Sequence, residues 1–129
     1  MDIKRFDSVK NAEAGMELKL LDPETRADTG ASLVLYGADS SIHKAMDKEI
    51  AARTKARGRA PSTDEIAEEV LERLARMTKG WKGLEDGGKA IPFSVEKAKE
   101  LYKAYPELAD RAAAFIFNRA NFFDKASGS

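Results

Sequence analysis

The feature that most restricts how this chain can fold is a change of hydrophobic period at Gly37. Before it, apolar residues alternate with polar ones. After it, they recur every three or four positions. "MELKLLD", Met16 to Asp22, sets Leu18 and Leu20 against Glu17 and Lys19. "ASLVLYG", Ala31 to Gly37, is a compact run of Leu33, Val34, Leu35 and Tyr36. Both read as strands. Pro23 and Gly30 in "PETRADTG" turn the chain between them, and these eight residues make a connection longer than a tight hairpin, able to project. Strand and helix patterns in separate halves predict an α+β protein, mostly helical, with a short N-terminal antiparallel β-hairpin followed by about four helices. Residues 1–15 read as a loose arm or a strand added late, 16–123 as one domain, and 124–129 as a disordered tail.

The helices carry their own punctuation. Asp39 and Ser40 are cap candidates for the first, on which Ile42, Met46 and Ile50 form a stripe. Arg53, Lys55, Arg57 and Arg59 load its end, the negative pole of a helix, and Gly58 and Pro61 stop it. The second has Ser62 and Glu65 at capping-box spacing and an apolar face of Ile66, Val70, Leu71, Leu74 and Met77, with Gly80 as its natural cap. Ser94 opens the third, which carries Val95, Ala98, Leu101 and Tyr102. Pro106, suited to a first helical position, opens a fourth running through Leu108, Phe115 and Ile116 to Phe123. Leu74, Met77, Leu101, Tyr102, Phe115 and Ile116 are expected to share a core.

Charge and composition exclude several functions. The chain has 129 residues, enough to bury a core without staples, and no cysteine, which removes disulfides and thiolate metal sites. Lys plus Arg and Asp plus Glu are 22 each, so nothing in the overall balance calls for nucleic acid or an anionic membrane. No stretch approaches the roughly 20 apolar residues of a membrane span.

The residues that suggest chemistry each have a plainer explanation. His43 is the single histidine, and no nucleophile or carboxylate pattern beside it suggests a triad. "GLEDGGK" has the Gly-x4-Gly-Lys spacing of a phosphate loop, but Ala90 follows where Ser or Thr is needed, and Glu85 and Asp86 would repel phosphate. "RTKARGR" lacks interleaved aromatics, and the macrodipole and the acidic start of the next helix account for it. Glu65, Glu68, Glu69 and Glu72 read as a solvated face, not a cation site. No enzyme, cofactor or metal is expected.

"GWKGLEDGGKAIPFS", Gly80 to Ser94, holds the one tryptophan and four of nine glycines. Asp86-Gly87-Gly88 reads as a turn between two short extended arms, bracketed by Trp81 and Phe93. Its glycines are expected to serve backbone angles, with Gly87 or Gly88 at positive φ, and Trp81 to be mostly buried against the second or third helix.

The stretch "WKGLEDGGKAIPFSVEKAKELYKAYPELADRAAAFIFNRANFF", with "GADSSIHKA" and "LDPETRADTGASLVLYG" before it, resembles the tail assembly chaperones of long-tailed bacteriophages over about Leu18 to Phe123. The charged middle, "KEIAARTKARGRAPSTDE", departs from that pattern. The resemblance implies a chaperone of the host cytoplasm, absent from the mature virion. It would hold tape measure or tail tube proteins until the tube polymerises. The alternative is a small phage-encoded inhibitor or regulator docking on a host protein. Partner binding is expected at Phe117, Phe122 and Phe123, because one helical face cannot bury all of that segment, and at Trp81. Those phenylalanines could instead complete the core or a homo-oligomer contact.

Overall fold

The structure, a computed structural model, describes residues 1–124. The elements run α1 (Val9–Ala14), β1 (Met16–Leu21), β2 (Asp28–Leu35), α2 (Ser41–Arg57), α3 (Thr63–Arg76), β3 (Thr78–Lys82), β4 (Glu85–Asp86), β5 (Lys89–Ala90), α4 (Val95–Ala104) and α5 (Pro106–Ile116). The class is α+β, mostly helical, with the N-terminal hairpin in place and the four helices read from the sequence as α2 to α5. The expected tail lies, beyond Asp124, outside the described residues.

β2 is the middle strand of an antiparallel sheet of order β1-β2-β3. Leu18 pairs with Leu33, and Leu33 in turn with Trp81, so these three side chains share one face of the pleat. That face, with Leu20 and Leu35, packs on Leu74, Met77, Tyr102 and Ile116 of the helices. The opposite face carries Glu17, whose carboxylate accepts from Ser32 at 3.0 Å and pairs with Lys82 at 3.0 Å.

The caps follow local chemistry. Ser62 and Glu65 form the capping box, Ser94 Oγ accepts from the Lys97 amide at 3.0 Å, Pro106 opens α5, and Gly58 ends α2 at φ +69°. Ser40 caps α2, whereas Asp39 serves tertiary contacts instead.

Several expectations are corrected. α3 closes at Arg76, and Gly80 is no cap: it lies in β3 opposite Val34. Pairing with β2 occupies the backbone there, so the chain leaves the helix directly into a strand. "TKGWK" carries no alternation from which that strand could be read. α5 stops at Ile116, and Arg119–Phe122 forms a separate 3-10 turn, so the aromatic end is not one helix. Ile66 and Val70 are 50% and 51% exposed, because nothing covers the N-terminal half of the α3 apolar ridge. Leu101 is half-buried, while Leu74, Met77, Tyr102 and Ile116 are buried and Phe115 packs against them. β2 begins at Asp28, which leaves only residues 22–27 to turn the hairpin.

The N-terminal residues are not wholly a loose arm. Ser8 and Ala12 are buried, and α1 sits against the chain's other end. Asn11 Nδ2 donates to the Phe122 carbonyl at 3.0 Å, and Gly37 is close enough that a Cβ there would lie 2.7 Å from Ala12 Cβ and 3.1 Å from the Phe122 ring. Asp39 ties the knot: it accepts from Ser8 Oγ at 2.5 Å and pairs with Arg119 at 2.8 Å. These partners, Arg119 first, bring its carboxyl from an ordinary 3.8 down to about 2.

Candidate functional site

The four residues expected to bind partners part company in the structure. Phe122 is 1% exposed, meets Phe115 edge to face at 5.5 Å, and fills the space beside Gly37. It is core, not contact surface: the chain turns after Ile116, and that turn aims it inward against α1. Phe123 is half-buried. Phe117 stands 54% exposed at the end of α5, its ring edge-on to His43 at 5.7 Å. Phe117 therefore retains the free apolar surface the sequence assigned to the whole group.

Trp81 is half-buried, facing the core from β3. Its Nε1 donates to the Ile91 carbonyl at 2.7 Å, and Phe93 stands edge-on at 4.8 Å. β4 and β5 make the small hairpin expected there, with Gly87 and Gly88 both at positive φ (+59° and +84°). Such a double left-handed turn suits a two-residue hairpin and explains the glycine pair without a phosphate.

His43 is held as a structural side chain. Burial lowers its pKa, with Asp47 acting in the opposite sense from 3.7 Å. The charged middle is a ladder between α2 and α3. Asp47 and Glu49 of α2 meet Arg73 and Arg76, while Arg53 meets Glu72, and Arg57 meets Glu65 and Glu69. Acids precede arginines along both helices, so the charge order itself fits antiparallel packing. Among the described residues no group of three or more His, Asp or Glu is placed to hold a metal ion, and no helix is long and apolar enough to cross a membrane.

Sequence reasoning missed one apolar feature of the surface. A groove of about 340 Å³ lies between the far end of the β1–β2 hairpin and the α4–α5 junction. Leu20, Leu21 and Ala31 form one wall, Leu84 and Leu108 the other, and Tyr105, 58% exposed, stands at its mouth. Arg111 and Glu107 provide its charged rim: Arg111 Nε pairs with Glu107 at 3.0 Å, and Nη1 donates to the Leu21 carbonyl at 2.7 Å. A signal existed in Tyr105, an aromatic just outside both helical stripes. The groove itself joins residues far apart in the chain.

In chemical terms the groove offers contact to apolar side chains, with the Arg111 guanidinium and the Glu107 carboxylate at its rim. No curated protein and no solved structure matches the chain. Residues 38–127 match the YdaY prophage protein family, covering α2 to α5, β3 and one wall of the groove. That match spans more than half of the chain: it belongs to the YdaY prophage protein family and is phage-derived.

Proposed function

We propose that this prophage protein is a tail assembly chaperone, which binds tape measure or tail tube proteins in the host cytoplasm before the tube polymerises and does not remain in the virion. One observation carries the reading: the open apolar groove under the hairpin, lined mainly by aliphatic side chains. A protein that guards tail subunits must cover apolar surface that those subunits later bury in one another. A small groove with the exposed Tyr105 at its margin suits transient contact better than a permanent interface, which buries far more area. The resemblance of Leu18 to Phe123 to tail assembly chaperones, and membership of a prophage family, point the same way.

The test is co-expression of the tagged chain with the tape measure and tail tube proteins of the same prophage, followed by capture. Capture of either, and improved solubility of that protein, is expected. Capture of neither, together with stoichiometric capture of a host enzyme, would replace the chaperone by the inhibitor reading. Phe117→Ser, at an exposed position, reports whether the end of α5 adds to the contact.

A further inference from the structure

β1 is an edge strand. The sheet order leaves β2 as its one partner, and among the described residues no backbone hydrogen bond reaches its outer side. In an antiparallel strand alternate residues direct N–H and C=O away from the partner. Leu21 is one of these. It faces Asp28, yet the bonds around that pair come from its neighbours, with the Asp22 amide donating to the Ala27 carbonyl at 2.8 Å. Among the described residues, the Leu21 carbonyl is then occupied only by Arg111.

Two hollows meet at this edge. The first is the apolar groove. The second, about 450 Å³, follows β1 and α5 and adds Lys19 and Arg26 to its border. Leu21, Glu107 and Arg111 belong to both, so the Arg111 side chain spans a single trench beside the free strand edge. The charged side chains around the trench are Lys19, Arg26, Arg111 and Glu107, an excess of two positive charges.

These three features, resting on the chaperone reading, select one kind of occupant. We infer that the client segment docks as an extended strand on the outer edge of β1. It sets an apolar side chain in the groove against Leu21 and Leu108, and an acidic residue against Lys19, Arg26 and Arg111. Strand addition draws affinity from main-chain hydrogen bonds and selectivity from pockets for alternate side chains, and both parts stand side by side here. A second copy of this chain is disfavoured, because edge-to-edge pairing of two β1 strands would bring two cationic rims together. Arg111 acts as a gate: it must release the Leu21 carbonyl for the incoming amide, and the acidic residue gives its guanidinium a new partner.

The experiment uses the full chain and overlapping synthetic peptides covering the tape measure and tail tube proteins of the same prophage, with the intact proteins beside them. Binding is expected for peptides that alternate apolar residues and carry an acid. N-methylation of alternate backbone amides in the tightest peptide should weaken it about tenfold or more, since each lost edge bond is felt directly. Tyr105→Glu and, separately, Lys19→Glu with Arg26→Glu should weaken it similarly while circular dichroism and Tm stay at wild-type values. Binding indifferent to N-methylation and to both variants would overturn strand docking and leave the chaperone reading standing. Self-association abolished by the same variants would also overturn it, making the occupant a second copy. Failure of every peptide and both intact proteins to bind would remove the chaperone reading and this inference with it.

Discussion

Tyr102 and Thr78 offer a quantitative test of how the sheet is joined to the helices. Tyr102 is 2% exposed, and its hydroxyl lies 2.6 Å from Thr78 Oγ1, which itself donates to the Leu74 carbonyl at 2.8 Å. Since Thr78 spends its proton on Leu74, Tyr102 is the donor to Thr78. Thr78→Val preserves shape but strands a buried phenol without an acceptor, at about 1–3 kcal/mol, and loses the bond to Leu74, at about 1 kcal/mol. Tyr102→Phe loses a single satisfied bond, at about 0.5–1.5 kcal/mol. In the double variant no buried hydroxyl remains, so its cost should approach the Leu74 bond plus little else. The two singles together should thus exceed the double by about 1.5–4.5 kcal/mol in a cycle. Urea unfolding followed by Trp81 fluorescence measures all four proteins, and each kcal/mol should move Tm by about 3–6 °C at this chain length. Burial also pushes the Tyr102 phenol up to about 12, with Thr78 the opposing influence. The stability that this neutral phenol represents is complete below its ordinary pKa of 10 and disappears as pH rises through 12. Additive single variants, or a Thr78→Val protein within about 0.5 kcal/mol of wild type, would refute the hydrogen-bond chain.

Phe122→Ala should cost about 3–5 kcal/mol, as expected for a buried aromatic, and should raise hydrogen exchange in α1 first; unchanged exchange at Val9–Ala14 would contradict the docking of the two chain ends. The α2–α3 ladder should loosen in salt, because partly exposed pairs contribute only about 0.2–1 kcal/mol each and are screened: α2 amides should exchange faster in molar NaCl, and Arg53→Glu with Glu72→Arg should restore what either single change loses. Asp39 has its carboxyl depressed to about 2, so its contribution is complete above 3.8 and vanishes as pH falls through 2. Asp39→Asn should therefore flatten the acid limb of the stability profile below pH 4; an unaltered limb would show that the Ser8 and Arg119 contacts contribute nothing.

Local chemistry determined what the sequence alone could show. The capping box at Ser62 and Glu65, Ser94 before α4, Pro106 at the start of α5 and the Gly87-Gly88 turn each depend on neighbours within a few residues, and each formed where the spacing placed it. The change of period at Gly37 likewise reports which side chains share a face, and it yielded the α+β class. Tertiary structure decided the rest, because the deciding partners are distant in sequence. β3 exists because β2 has a second edge to fill, which five residues without alternation cannot announce. Phe122 is core and Phe117 is surface because α1, read as an unpatterned arm, closes over one and not the other. The candidate groove was illegible for the same reason: Leu20, Leu84 and Leu108 are each ordinary apolar residues in their own segments, and only packing of the hairpin against the α4–α5 junction leaves a gap between them and a strand edge beside it.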